Sequence, residues 1–240
     1  MTDKKYLDDS YLKELNSVIT EVNENGIILE STVFYPRGGG QPGDSGFILK
    51  NGKMFKISDT TKDGDAVIHH QESPDPELSA GDTIKCQIDW DKRYAHMRYH
   101  TAIHLIDAVV NLNPGYRGLI TGSQIYEDRS RVDFSMEDLS ADLAISILDR
   151  ANEEIEKGRN VEVRYFSRGE ALSIPNLART KPGRELISSL ETVRVVEITG
   201  LDMQADGGTH VKNLSEVGKL KFAKMENKGK NNKRVYFTLE

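Results

Sequence analysis

The chain has little that would tie it to the outside of a cell. Cys86 is its only cysteine among 240 residues, so no internal disulfide can form and a reducing, cytoplasmic setting is expected. No apolar run approaches the roughly 18 residues that a membrane span needs. The opening segment Met1-Thr2-Asp3-Lys4-Lys5-Tyr6 lacks the apolar stretch of a signal peptide. Internal repeats and low-complexity tracts are missing as well. The rest is ordinary for a globular protein, with 37% hydrophobic and 29% charged residues. The length suits one large domain or two small ones. Cys86 itself lies in Thr83-Ile84-Lys85-Cys86-Gln87-Ile88-Asp89-Trp90, whose alternation marks a strand and makes the thiol a small packing group.

A net charge of −6 argues against indiscriminate binding to nucleic acid, but the charge is unevenly spread. The stretch from Lys212 to Arg234 holds eight Lys or Arg and two Glu, a local +6, so the remainder carries −12. A basic patch on an acidic body suits a protein that touches a polyanion at one edge. Lys228-Gly229-Lys230-Asn231-Asn232-Lys233-Arg234 reads as a basic hairpin tip between two strands.

Hairpin signals dominate the first part of the chain. Asn25-Gly26 separates Val18–Val22 from Ile27–Glu30, and Asn51-Gly52 separates Phe47–Leu49 from Met54–Ile57. Strand-like runs continue through Ala66–His70 and Ile84–Trp90. The expectation is a small antiparallel β-barrel over residues 1–90. Beyond it the period changes. Asp91 is a plausible N-cap for a helix over Arg93–Leu112, closed by Asn113-Pro114-Gly115. A second amphipathic helix is expected over Glu137–Lys157, stopped by Gly158. Strands are expected at Val161–Phe166, Val193–Ile198, Val217–Ala223 and Val235–Leu239. Residues 91–240 therefore read as a two-layer domain with an antiparallel sheet, and the whole chain as α+β.

The chemistry concentrates in histidine. His96, His100 and His104 recur at every fourth residue. Imidazoles four apart on a helix share one face and can grip one ion. His96 and His104 would be about 12 Å apart along the axis, so only one adjacent pair can serve a tetrahedral site. Spacing leaves both the 96/100 and the 100/104 pair open. A zincin peptidase is excluded, because the position after the first His of His100-Thr101-Ala102-Ile103-His104 holds Thr101 instead of Glu. A Gly-rich turn, Asp206-Gly207-Gly208-Thr209-His210, offers a further imidazole and a carboxylate. Three consecutive glycines in Thr32-Val33-Phe34-Tyr35-Pro36-Arg37-Gly38-Gly39-Gly40-Gln41-Pro42-Gly43-Asp44 allow close approach of backbone to a ligand. That motif is not a P-loop, since no Gly-Lys-Ser/Thr follows.

Taken in order, these three motifs resemble the editing domain of alanyl-tRNA synthetase. They look most like the free-standing AlaX proteins of medium length, which carry a Gly-rich barrel ahead of the metal domain. The resemblance spans nearly the whole chain. It implies hydrolysis of the ester that joins a wrong amino acid, chiefly serine and also a candidate glycine, to tRNA(Ala). It also implies one zinc ion held by an HxxxH pair and a later CxxxH motif. Carried onto this chain, the ligands are His100, His104 and His210, with His96 left as a flanking residue. Asp206 stands where the family usually has Cys. Direct or water-mediated ligation by Asp206 is the expectation, with orientation of His210 or of a water from behind the ligands as the alternative.

By the same resemblance Thr32 pairs with the serine hydroxyl and Gln41 lies close by, the two forming the expected catalytic set. Gly38, Gly39, Gly40, Asp44 and Thr209 are the expected substrate contacts. Zinc either activates the attacking water or binds the substrate's amino group, and both roles stay open at this point. Lys228, Lys230, Lys233 and Arg234 are the expected tRNA contacts, with Arg168, Arg179, Lys181 and Arg184 as further candidates. No membrane or DNA partner is expected. The competing readings are editing of a different misacylated tRNA and a non-catalytic tRNA-binding module with a degenerate metal site.

Overall fold

Two short turns close the first hairpins. At Asn51-Gly52 both residues have positive φ (50° and 80°), as a two-residue primed turn requires. At the other hairpin Gly26 already pairs with Asn23, so the turn residues are Glu24 and Asn25, one position earlier than the Asn-Gly signal implies. The reason is Asn23, whose side-chain oxygen accepts the Asn25 and Gly26 N–H groups at 2.8 and 3.2 Å. The computed structural model that shows this describes residues 2–116, 118–179 and 181–240.

Six strands follow from this start: β1 (Glu14–Asn23), β2 (Gly26–Leu29), β3 (Gly46–Lys50), β4 (Lys53–Asp63), β5 (Ala66–Gln71) and β6 (Thr83–Ile88). They close into an antiparallel barrel in the order β1-β2-β5-β4-β3-β6. Alternation puts Ile19, Ile27, Leu29, Ile48, Phe55, Ile57, Ile84 and Ile88 inside it. Cys86 packs among them, and burial pushes its thiol up to about 11, far from a reactive range.

The long helix α1 spans Trp90–Leu112 and starts earlier than expected. Asp89 is the residue at its start: its carbonyl accepts the Arg93 N–H at 3.1 Å and its carboxylate the Lys92 N–H at 3.4 Å. Asp91, expected as the cap, lies inside the first turn, where its charge still favours the helix dipole. The chain divides into two compact units, Met1–His96 and Met97–Glu240.

In the second unit, β7 (Ile120–Ile125) and β8 (Ser130–Phe134) form a hairpin that period counting does not reveal. Helix α2 (Ala141–Glu156) is shorter than expected, because Ser140 accepts the Leu143 N–H at 3.2 Å and opens the helix there. Strand β9 (Val161–Ser167) runs into helix α3 (Arg168–Ser173), which starts on a Ser167/Glu170 capping box. Helix α4 (Lys181–Ser189) precedes β10 (Thr192–Ile198) and β11 (Asp202–Ala205). Last come β12 (Leu220–Gly229) and β13 (Asn232–Leu239). Strand β12 begins after Val217, since Val217 closes a short 3-10 turn and gives its carbonyl to Arg98 at 2.9 Å.

These strands form two antiparallel sheets, ordered β12-β13-β8-β7 and β9-β10-β11. Helix α2 buries Ala144, Ile147, Leu148, Ala151 and Ile155. It is fixed to β12 by Asn152, whose amide bonds both backbone groups of Leu220 at 3.0 and 2.8 Å. A barrel followed by helices on antiparallel sheets is the α+β arrangement read from the sequence. Among the described residues, no helix is long and apolar enough to cross a membrane.

Candidate metal centre

Helix α1 carries His100 and His104 one turn apart, with ring centroids 5.0 Å from each other. The segment after β11 turns sharply and brings His210 to them, 4.4 Å from the His100 ring and 4.6 Å from the His104 ring. Asp206 completes the group. Its Oδ1 lies 3.6 Å from His100 Nε2 and 3.8 Å from His104 Nε2, and its Oδ2 lies 3.0 Å from His210 Nε2. One donor atom from each of the four residues falls within 4.8 Å of all the others. The 100/104 pair is thus the half of the histidine series that joins this group, and His96 is not a member.

The turn between Asp206 and His210 explains one of its two glycines, Gly208. A Cβ on Gly208 would sit 2.1 Å from His100 Cε1, closer than any side chain can approach, so only glycine fits against the ring. The Gly208 N–H donates to Asp206 Oδ2 at 2.5 Å, and Arg194 donates to the Asp206 carbonyl at 2.8 Å. The carboxylate is therefore aimed before any ligand arrives. Thr209 is fully buried in the same turn.

Electrostatics set the protonation states. Burial, then repulsion from His210, holds the His104 imidazole well below its ordinary 6.5, against the pull of Asp206. Burial also lowers His210, opposed by its hydrogen bond to Asp206. For Asp206, burial pushes upward, but His100 and the hydrogen bond from His210 outweigh it and hold the carboxyl well below the carboxylate range. Two imidazoles with free lone pairs beside an ionised carboxylate are the states in which these groups bind a cation. Three imidazoles and one carboxylate also form a donor set that zinc accepts.

Several residues around the group take roles that no sequence motif marks. Arg179 is largely buried and pairs with both Asp107, on α1, and Asp202, on β11. Gln204 donates to the His104 carbonyl at 3.3 Å and to Asp202 at 2.7 Å. Arg179 is thus committed to two carboxylates and is not a free phosphate contact. Arg168 and Arg184 bond the carbonyls of Leu190 and Ala178, respectively. The Lys181 side chain lies outside the described residues.

In the first unit, Gly38-Gly39-Gly40-Gln41 forms a tight hairpin. Gly38 and Gln41 exchange backbone bonds at 3.1 and 2.9 Å, and Gly39 and Gly40 both take positive φ. Asp44 spends its carboxylate on buried Arg93 and on the Tyr35 N–H at 2.6 Å, which pins the segment carrying that hairpin. Gln41 is buried beside it. Thr32 is fully buried too, with Oγ1 accepting the Phe34 N–H at 3.0 Å and lying 2.8 Å from His69 Nε2. His69 Nδ1 faces the Ile27 carbonyl at 2.9 Å and must donate to it, so Nε2 accepts the Thr32 proton. The sequence did hold a signal for His69, which shares the inward register of Val67 in β5.

The basic hairpin tip lies between β12 and β13. Lys228 pairs with Glu226 at 2.9 Å, Lys230 reaches Glu137 at 3.2 Å, and Lys233 donates to Asn227 at 2.9 Å. Arg234 forms a two-pronged bond with Asp133 at 2.7 and 3.0 Å, so part of the expected positive patch is neutralised within the sheet.

Family models match two parts of the chain. Residues 4–92 match tRNA synthetases class II (A), and residues 193–236 match the threonyl and alanyl tRNA synthetase second additional domain. Over its full length the chain is 38% identical to the alanyl-tRNA editing protein AlaX-M of Saccharolobus solfataricus, also covered in full. It is 41% identical to the protein of that name from Methanosarcina mazei, covering 97% of it. An alanine–tRNA ligase of Saccharolobus islandicus is 31% identical over 94% of this chain, which corresponds to 25% of the ligase. With near-complete coverage in both directions, the chain belongs to the AlaX-M family of alanyl-tRNA editing proteins.

Proposed function

We propose that this protein deacylates misacylated tRNA(Ala) in trans, with the serine ester as chief substrate, glycine as a second candidate, and one zinc ion held by His100, His104, Asp206 and His210. The observation that carries the proposal is the buried quartet, whose donors converge within 4.8 Å in a chain of this family. When bound there, zinc supplies Lewis-acid chemistry, either polarising a water or anchoring the substrate's amino group.

The protein's own groups have distinct tasks. His104 and His210 present lone pairs because burial keeps them neutral, and Asp206 stays ionised between them. The Gly208 N–H and Arg194 hold that carboxylate and its backbone in place, so little reorganisation accompanies binding. Thr32 and Gln41, with Gly38–Gly40 and Thr209, are assigned to reading the amino acid, while Asp44, expected as a further contact, holds their segment in place through Arg93 and the Tyr35 N–H. A site built to pair with the serine hydroxyl rejects alanine by about 10⁴–10⁵. With its proton on His69, Thr32 Oγ1 can only accept, which suits a substrate hydroxyl that donates. Lys228, Lys230 and Lys233, and less so the engaged Arg234, are assigned to tRNA phosphates.

The test is deacylation of Ser-, Gly- and Ala-tRNA(Ala) before and after chelation. Release of serine, its loss on chelation and its return with zinc are expected. Turnover that survives complete metal removal would overturn the zinc assignment. Absence of turnover from a zinc-loaded protein that still binds tRNA would favour a binding module instead.

A further inference from the structure

Behind the quartet lies a residue with no assigned task. Thr101 sits between the two helical histidines, is fully buried, and places its Oγ1 3.1 Å from His210 Nδ1. The Val211 N–H donates to the same oxygen at 3.2 Å. On its opposite edge the His210 ring faces Asp206 through Nε2. The ring is therefore gripped at both nitrogens, by a carboxylate on the cation side and by a hydroxyl on the far side.

We infer that Thr101 is the positioning residue for His210: when a cation takes the place of the Nε2 proton that the ring gives to Asp206, Thr101 accepts the ring proton at Nδ1 and so keeps the Nε2 lone pair turned toward the cation. This rests on the reading of the quartet as a metal site. An imidazole that ligates through Nε2 must carry its proton on Nδ1, and that proton needs a buried acceptor. With one lone pair filled by Val211, Thr101 keeps the other for His210. The hydroxyl stands on the helix that also carries His100 and His104. It therefore fixes the ring's angle relative to those ligands as well as its tautomer. A valine would match the shape of Thr101 but leave two buried N–H groups without an acceptor.

The experiment is a zinc titration of the full chain, stripped of metal, against a competing chromophoric chelator. Thr101→Val should weaken zinc binding by about 10–100-fold, the range typical for removing the partner of a ligating histidine. Thr101→Ser should stay within about threefold of wild type, because the hydroxyl returns. In a His210→Ala background the Thr101→Val substitution should change zinc affinity little, since its effect passes through that ring. A general loss of packing would instead weaken binding equally in both backgrounds. In the zinc-loaded wild type a slowly exchanging His210 Nδ1 proton should be visible by NMR, absent in Thr101→Val and restored in Thr101→Ser. Zinc uptake by wild type with unchanged Thr101→Val affinity overturns the inference alone. Failure of wild type to take up zinc overturns the metal-site reading and the inference with it.

Discussion

Replacing Gly208 by alanine probes how tightly the turn is fitted to the quartet. The added Cβ would stand 2.1 Å from His100 Cε1, 2.4 Å from His100 Nδ1 and 3.0 Å from Asp206 Oδ2. To restore ordinary van der Waals separation, either the ring or the turn must move by more than about 1 Å. Ligand geometry tolerates only about 0.2 Å around ideal metal distances, so the shift should be felt as lost affinity. Overpacking of this kind costs about 1–3 kcal/mol, which converts to roughly 5- to 150-fold in a dissociation constant if the strain is relieved in the metal-free state. Zinc titration of the stripped variant, paired with thermal unfolding of stripped and loaded protein, would measure both. The stripped form should lose little stability while the loaded form loses the binding increment. Wild-type zinc affinity together with wild-type stability in Gly208→Ala would refute the packing argument.

Other outcomes follow from the same structure. His104→Ala should abolish release of serine from tRNA(Ala), and full turnover in that variant would sink its assignment as a ligand. Asp206→Cys should keep zinc and activity, measured by metal analysis and deacylation, because thiolate and carboxylate both suit zinc; loss of both would mean that the pocket is built around a carboxylate. Arg93→Met should destabilise the barrel by about 3–5 kcal/mol in denaturant unfolding, since it strands the buried Asp44 carboxylate. Below neutral pH, His69 should become a liability. Burial holds it at about 4 against an ordinary 6.5, so the unfolded chain takes up the proton first as pH falls. Its contribution is full above about 6.5 and is lost progressively down to about 4, a swing of about 3 kcal/mol. Unfolding of His69→Gln across that window should show a correspondingly flatter pH dependence.

What could be read from the sequence was what neighbouring residues decide. Asn51-Gly52 places a primed turn because two positive φ values are needed side by side. His100 and His104 share a helix face because they are four residues apart. The hairpin of β7 and β8 stayed hidden because Ile120–Ile125 is polar between its two ends, so neither period stands out. Asp89 lost to Asp91 as a cap because both are acidic and only the backbone path separates them. The Ser167/Glu170 capping box was legible, four residues that spell a helix start, yet it lay just past the strand expected over Val161–Phe166 and no helix was expected there. The bond from Thr101 to His210 spans 109 residues and leaves no local trace. The same holds for Arg179, whose two carboxylate partners lie on elements far apart in the chain.

The quartet takes two donors from one turn of helix α1 and two from the Gly-rich turn after β11, with most of the second unit strung between them. An ion held there is consequently a clasp on a very long loop as well as a reagent. Closing a loop of that length in the unfolded chain carries a large entropic cost, and the clasp recovers part of it only once both ends are correctly folded. If the quartet holds zinc as proposed, a newly made chain without the ion would be both inactive and easier to unfold or digest. Supply of the metal would then govern how much of this editing protein persists, and not only how fast each copy works.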